Sequence, residues 1–112
     1  MIEGSCHCGA ISLTLDADPR EAMACNCSHC SRKGYLLAFV PRDRLTVSGD
    51  ADAIGTYTFN RHAIRHHFCL TCGCAPYGEA EGKEGPTAAV NLRCFDVDLD
   101  ELNVTQVDGK SF

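Results

Sequence analysis

The sequence predicts a mainly β protein built of short strands, with cysteine-rich turns at the strand ends. Three observations lead to this prediction. Apolar and polar residues alternate over 11–15 and 103–107, which is the pattern of a strand with one buried face. A continuous apolar run at 35–40 is stopped by Pro41. Closely spaced cysteines then interrupt the chain between such segments.

The predicted elements follow one another in short segments. After the first strand, residues 16–19 turn the chain. Residues 28–34 suit a single helical turn, because Ser28 can cap its start and Gly34 its end. The run at 35–40 has the length of a central strand. We further expect a short strand at 45–47, a hairpin of 54–59 and 64–68 that delivers Cys69, a mobile charged loop at about 79–86, a strand at 87–92, a turn of helix within 97–102, and a last strand at 103–107.

Length and composition indicate one domain that needs help to stay folded. At 112 residues the chain can bury one core but not two, so we predict a single domain over 1–112. Hydrophobic residues make up 45% of the chain, but nine of them are cysteines. A structural zinc ion contributes on the order of 10–16 kcal/mol in small metal domains, against a net stability of roughly 5–15 kcal/mol for a whole domain. One such ion could therefore decide whether the chain folds.

Charge and the N-terminal sequence exclude several classes of function. The formal net charge of −5 argues against general nucleic-acid binding, which needs a basic face. Residues 1–4 show neither a charged region before an apolar run nor a cleavage site, and no stretch approaches the ~18 apolar residues of a membrane helix. We therefore expect a cytoplasmic protein without nucleic-acid or membrane partners. In that compartment reduced thiols bind metal rather than form a disulfide framework.

Two cysteine pairs that are far apart in the chain have the composition of a closed zinc site. Cys6 and Cys8 lie near the start, and Cys69 and Cys72 lie far downstream. Four thiolates satisfy tetrahedral zinc, and one ion held by all four would close a long loop. Glycines flank both pairs, as expected where a turn must aim backbone N–H groups at sulfur. The sequence therefore predicts a structural zinc at these four residues.

A C-x-C-x-x-C run at residues 25–30 predicts a second zinc site of a different character. Its three thiols, Cys25, Cys27 and Cys30, have no fourth thiol close behind them. In zinc enzymes an open coordination position holds water or substrate, and coordinated thiols are deprotonated. The run suits thiol chemistry, and we expect these three cysteines to be catalytic.

Several other residues could complete or modify the second site. The histidines that could supply a fourth ligand or a proton shuttle are His29, His62, His66 and His67. His66 and His67 would point to opposite faces of a strand. Cys74 is either a competing ligand or a free thiol, and Cys94 most simply packs in the core. The basic residues that could bind a small acidic ligand, or are otherwise solvated surface charges, are Arg32, Lys33, Arg61, Arg65 and Arg93.

The ordered cysteine motifs and several shorter ones resemble one known family over essentially the whole chain. The motifs lie at residues 4–9, 25–30, 40–41, 57–60, 68–73, 90–91 and 108–109. Together they are similar to the glutathione-dependent formaldehyde-activating enzyme family. The resemblance implies an Mss4-like fold of β-sheets, a structural zinc at Cys6, Cys8, Cys69 and Cys72, and a second, catalytic or labile zinc at Cys25, Cys27 and Cys30.

The resemblance also implies a reaction. The family is named for the condensation of glutathione with formaldehyde to S-hydroxymethylglutathione, which is classed as a carbon–sulfur lyase activity. We therefore expect a small thiol such as glutathione as substrate and two zinc ions as cofactors. Two alternatives to an enzyme stay open from the sequence. One is a non-catalytic zinc module that binds a partner protein or carries metal, and the other is a redox sensor whose second loop loses zinc on oxidation.

Overall fold

The structure, a computed structural model, describes residues 1–59 and 64–108. Within these residues the chain is mainly β, as predicted. The strands are β1 Ile2–Ser5, β2 Ile11–Leu15, β3 Glu21–Cys25, β4 Leu37–Pro41, β5 Leu45–Gly49, β6 Ile54–Tyr57, β7 Ile64–Cys69, β8 Tyr77–Gly82, β9 Gly85–Asn91 and β10 Asn103–Val107. The helix α1 is Ser28–Lys33, and short 3₁₀ turns lie at Arg42–Arg44, Ala51–Ala53, Leu92–Cys94 and Leu99–Glu101. None of the helices in the described part of the chain has the length and apolar character needed to cross a membrane.

The strands form two sheets of unequal size. β1, β2 and β5 make a small antiparallel sheet, with β2 in the middle. The other strands make a seven-stranded sheet in the order β10-β3-β4-β9-β8-β7-β6. Its neighbours are antiparallel except β10 and β3, which run parallel and pair Val107 with Cys25. The last strand therefore lies beside the strand that leads into the 25–30 run.

The core joins the small sheet to one face of the large one. Ile11, Leu13 and Leu15 of β2 are at most 2% exposed, as the alternating pattern predicts. They belong to one packed cluster with Ala88 and Val90 of β9. Because side chains alternate along a strand, the neighbouring residues of β9 face the other side of the large sheet. That second face is not covered by the small sheet.

Several predicted segments are in place, with small shifts at their ends. β2, the β6–β7 hairpin, α1, the 3₁₀ turn near residue 100 and β10 agree with the predictions. The strand predicted at 35–40 starts two residues later and includes Pro41, which pairs with Thr87 on β9. α1 is capped by Cys27 rather than Ser28, because the Cys27 sulfur accepts a hydrogen bond from within the first turn.

The predicted mobile loop at 79–86 is wrong, because this segment is a hairpin. β8 and β9 pair up to their tips, which leaves a two-residue turn at 83–84. The charged, glycine-rich composition favoured a loop. It did not show that the Glu79 carboxylate binds residues of other elements. This carboxylate accepts from Arg42 Nε at 3.0 Å and lies 2.8 Å from His67 Nε2.

Candidate metal centre

Two turns at strand ends bring four cysteines together. Cys6 and Cys8 follow β1, Cys69 ends β7, and Cys72 lies in the turn after it. Their Sγ atoms all lie within 4.8 Å of one another, with 3.7 Å between Cys6 and Cys8 and 3.6 Å between Cys8 and Cys69. Zinc–sulfur bonds of about 2.3 Å in a tetrahedron separate two sulfurs by about 3.8 Å. The four-cysteine group therefore has the donors and the spacing of a zinc site.

Backbone N–H groups favour the charged form of Cys69 and Cys72, whereas the hydrogen bond with Cys69 and burial raise the pKa of Cys8 to about 12. Ile11 N donates to Cys6 Sγ at 3.4 Å. The backbone N–H groups of Cys74 and Cys8 lower the pKa of Cys72 to about 5. Hydrogen bonds to a charged group stabilise that form. The fold thus prepares a thiolate at this position, which is the form that binds metal.

Glycines shape both turns of the four-cysteine group. Gly9 and Gly73 have φ of +84° and +81°, and each donates its N–H to the carbonyl of a cysteine of this group, Cys6 and Cys69 respectively, at 3.3 and 2.8 Å. A Cβ at either glycine would meet nothing within 4 Å. Glycine is required here by the left-handed backbone and not by lack of space.

A second group of three cysteines is built where β3 leads into α1. Cys25 ends β3, Cys27 caps the helix, and Cys30 lies in its first turn. Their Sγ atoms also lie within 4.8 Å of one another. Among residues 1–59 and 64–108 no histidine or carboxylate joins this group. Three sulfurs leave one position of a tetrahedral ion without a ligand from these residues.

Local hydrogen bonds hold the three-cysteine group in shape. Cys27 Sγ accepts from the backbone N–H of Cys30 at 3.2 Å. Burial by itself would raise the pKa of Cys27, but this hydrogen bond and others lower it. Asn26 N donates to Val107 O at 3.1 Å, so β10 fixes the start of the run. Its end is fixed by Gly34, which has φ of +68° and follows the helix.

Two histidines lie beside the three-cysteine group. His29 of α1 and His66 of β7 have ring centroids 4.2 Å apart, and Tyr35, Tyr57 and Phe59 contact the same rings. His29 Nδ1 and His66 Nε2 are buried without a hydrogen-bond partner among the described residues. Burial, together with His29, lowers the pKa of His66 to about 4. His66 is therefore neutral at pH 7 and presents a polar atom that a ligand could satisfy.

His67 has a different environment from its neighbour, in agreement with the predicted alternation. Its Nε2 lies 2.8 Å from Glu79 and its Nδ1 2.9 Å from Thr56 Oγ1. Burial lowers the pKa of His67 despite the carboxylate beside it. Glu79 also binds Arg42, so His67 belongs to a structural network. Sequence reasoning missed this network because its members come from four separate segments and share no motif.

The two remaining cysteines lie outside both groups. Cys74 packs against the main core, and its carbonyl accepts from Cys69 N at 2.9 Å. Cys94 is half-buried and accepts a hydrogen bond from Asn91 Nδ2 at 3.7 Å. Burial raises the pKa of Cys94 to about 11, which makes it an unreactive thiol. The structure places both as packed free thiols.

Within the described part of the chain, the basic residues singled out by the sequence do not form one cluster. Arg32 and Lys33 line a cavity of about 400 Å³ beside the histidines. Arg93 Nε instead donates to Gly34 O at 2.9 Å, at the end of α1. Arg65 faces Glu79 across the β7–β8 pair. Four residues named in the sequence motifs or as candidates lie outside the described residues, namely Asn60, Arg61, His62 and Gly109.

A second cavity, of about 360 Å³, lies on the uncovered face of the large sheet and reaches the three-cysteine group. Cys25, Cys27 and Cys30 form part of its lining. The two cavities share three lining residues, which are Tyr35, His66 and Ala75. The three-cysteine group is thus accessible to a small molecule.

Comparison with known proteins agrees with this architecture. A crystal structure of a Rhodobacter sphaeroides protein is similar, with a TM-score of 0.76 and 27% sequence identity over 92% of this chain and 99% of that chain. The family model described as glutathione-dependent formaldehyde-activating enzyme matches residues 1–107. This match contains both cysteine groups and all ten strands of the described chain. The chain therefore belongs to the glutathione-dependent formaldehyde-activating enzyme family.

Proposed function

We propose that this protein is a zinc-dependent enzyme that forms or cleaves the bond between a thiol sulfur and an aldehyde carbon. Glutathione and formaldehyde are the substrates that its family membership suggests. The observation that carries the proposal is the contrast between the two cysteine groups. One has the four sulfurs that complete a tetrahedral ion, whereas the other has three and opens onto a cavity. In this assignment a structural zinc is held by Cys6, Cys8, Cys69 and Cys72, and a second zinc by Cys25, Cys27 and Cys30.

The chain's own residues supply binding and orientation for this reaction. Zinc in the three-cysteine group would act as a Lewis acid and keep coordinated thiols deprotonated. In the addition, a sulfur–carbon bond forms, the carbonyl double bond becomes a single bond, and the thiol proton ends on the oxygen. His66 Nε2, buried in the cavity lining without a partner among the described residues, can share a hydrogen bond with the hydroxyl that results. Holding both reactants in one cavity lowers the entropic part of the barrier.

Glutathione has two carboxylates, and the cavity beside the histidines offers cations for them. Arg32 and Lys33 line that cavity, in a chain whose net charge is −5. Arg32 also donates to Ser28 O at 2.7 Å, which fixes part of its side chain. Because this cavity adjoins the other one at His66 and Tyr35, a thiol anchored by its carboxylates can extend its sulfur towards the three cysteines. Guanidinium and ammonium groups bind carboxylates well.

The test compares the zinc-loaded wild type with Cys27→Ala, using Cys74→Ala as the matched control. Exchange NMR of glutathione with formaldehyde measures the rate of adduct formation, and metal analysis measures zinc per chain. We expect a rate above buffer for the wild type and the control, with two zinc ions each. Cys27→Ala should fall to the buffer rate and retain one zinc. If the wild type with two zinc ions gives only the buffer rate, the enzyme assignment is wrong and a non-catalytic zinc module is left.

A further inference from the structure

The cavity that reaches the three-cysteine group has an apolar lining. Its walls are large apolar side chains of strands β3, β4 and β7, and its floor is formed by small residues of β8 and β9. One residue of the lining, Glu79, has an ionisable carboxylate, and that group is bound to Arg42 and His67. The lining residues used below are Met23, Leu37, Phe39, Ile64, Gly78 and Ala89.

The strand register explains why a hollow exists at this place. Ala89 of β9 pairs with Phe39 of β4 on one side and with Gly78 of β8 on the other. Residues that pair directly project from the same face of a sheet. Two small residues beside a large one therefore leave a depression between walls. A Cβ at Gly78 would lie 3.1 Å from Arg65 O, so a side chain at this position would crowd the backbone of β7.

The rim exposes apolar surface that the fold itself does not bury. Phe39 is 51% exposed and Ile64 42% exposed, although both line the cavity. Transfer of apolar surface out of water is favourable, so a ligand or partner that covers this rim would be stabilised. The size of the cavity, about 360 Å³, is at the lower end of the range found for small-molecule sites. Formaldehyde, with two heavy atoms, would leave most of it empty.

One polar atom in this lining has no partner among the described residues. His66 is 9% exposed, and its Nε2 is buried without a hydrogen bond to that part of the chain. Buried polar groups in folded proteins are nearly always paired. A hydroxyl or carbonyl oxygen of a bound molecule would satisfy it. An apolar cavity with a buried, unpartnered polar atom in its lining matches an aldehyde-derived group with an alkyl or aryl tail.

We infer that the physiological substrate is the thiol adduct of an apolar aldehyde, with its alkyl or aryl-alkyl tail seated against Phe39, Leu37 and Ala89. This inference rests on the proposed thiol–aldehyde chemistry and specifies its substrate class. The tail occupies the apolar cavity, and the oxygen-bearing carbon lies between His66 and the three cysteines. Each methylene that enters the cavity should tighten binding about fourfold. Formaldehyde would then still react faster than in buffer, but aldehydes of several carbons would be better substrates.

The experiment measures binding to the zinc-loaded chain by titration calorimetry, with two series of stable probes. One series is S-methyl-, S-butyl- and S-hexylglutathione, and the other is ethanethiol, butanethiol and hexanethiol, which lack the glutathione part. We expect affinity to rise with chain length in the first series by at least tenfold from methyl to butyl. Ala89→Leu fills the floor of the cavity and should reduce the ratio of hexyl to methyl affinity to near one. The control Val104→Leu enlarges an exposed residue of β10 outside the lining and should keep the wild-type ratio.

A second variant protects the test against misfolding of Ala89→Leu. Phe39→Ala removes an exposed wall and should lower the affinity for long chains more than for short ones. The two series separate this inference from the proposed function. If affinity rises with chain length for the alkanethiols but not for the S-alkylglutathiones, the apolar site stands but glutathione is not the thiol part of the substrate. Affinity independent of chain length in both series would overturn the inference even if the enzyme adds glutathione to formaldehyde. A dimer that dissociates when Phe39→Asp is introduced would also overturn it, because a second copy would then cover this face.

Discussion

The four-cysteine group should act as a cross-link that the fold depends on, and removing its downstream half tests this. The double variant Cys69→Ala, Cys72→Ala deletes the two downstream sulfurs of the group and leaves the upstream pair. Cys8 and Cys69 are separated by 61 positions in the chain and have their sulfurs 3.6 Å apart. A metal ion between the pairs therefore closes a loop of that length.

The magnitude follows from the entropy of closing this loop. The chain-entropy relation used for cross-links gives about 4 kcal/mol for a loop of this length. Net domain stability is roughly 5–15 kcal/mol, so this loss is a large part of the total. For a chain of about this size it corresponds to a decrease in Tm of about 15–25 °C. The two truncated side chains add a packing loss, since Cys69 is 1% exposed.

The assay is urea unfolding followed by circular dichroism, with zinc per chain measured on the same samples in reductant. The matched control is Cys74→Ala, Cys94→Ala, which removes two thiols that lie outside both groups. We expect the control to keep two zinc ions and to lose about 1–2 kcal/mol of unfolding free energy. The first variant should lose one zinc and at least twice as much free energy. Equal losses in the two variants, or an unchanged zinc content in the first, would refute the cross-link.

Three further predictions concern single positions. Glu79→Gln should lower the free energy of unfolding by about 1–3 kcal/mol, because it weakens the bond to half-buried Arg42. The pKa of Glu79 is lowered in the fold, so the difference from wild type should be present at pH 7 and shrink as pH falls through the carboxyl range. His66→Phe should make the free energy of unfolding decrease less between pH 6.5 and pH 4 than it does in the wild type. The fold holds the pKa of His66 at about 4, so the unfolded chain takes up this proton at a higher pH than the folded chain. Gly4→Ala should destabilise more than Gly73→Ala, because a Cβ at residue 4 would lie 2.5 Å from a backbone oxygen whereas residue 73 has open space. Gly73→Ala should lower the free energy of unfolding by about 1 kcal/mol, because residue 73 has a positive φ.

Each of these has a result that would contradict it. For Glu79→Gln, a difference that persists unchanged at pH 3 would show that charge is not its source. For His66→Phe, the comparison uses the change between two pH values in each protein, so that zinc release in acid is common to both. Parallel curves would remove His66 as a source of acid sensitivity. Equal losses of unfolding free energy in Gly4→Ala and Gly73→Ala would contradict the close approach at residue 4.

Local spacing alone predicts much of the site. The structure brings seven sulfurs into a group of four and a group of three, and local spacing accounts for the group of three and for each pair within the group of four. Thiols within a six-residue run can reach one ion wherever the run lies in the fold, so Cys25, Cys27 and Cys30 need no tertiary information. The same holds for Gly9 and Gly73, since a tight turn requires its own φ angle. Likewise, the alternation of apolar and polar residues in β2 predicts one buried face without information from any other strand.

The errors arose where partners are distant in the chain. The charges of residues 79–84 favoured a loop, because a carboxylate in a strand is unfavourable unless something binds it. Arg42 and His67 bind Glu79, and neither can be assigned to it by spacing. Likewise, the candidate histidines could not be ranked from sequence. Only the structure shows His67 in that network and His66 in the cavity lining.

The sequence by itself determined the mainly β class, the three-cysteine group, the two cysteine pairs that make up the other group, and the turns that shape them, because each of these depends on residues within a few positions of one another. The tertiary structure decided that the smaller group opens onto an apolar cavity. That cavity exists because the register of three strands places Gly78 and Ala89 beside Phe39. Register between separate strands is set by burial of their opposite face against the core, a long-range property that the pattern of any one strand does not contain.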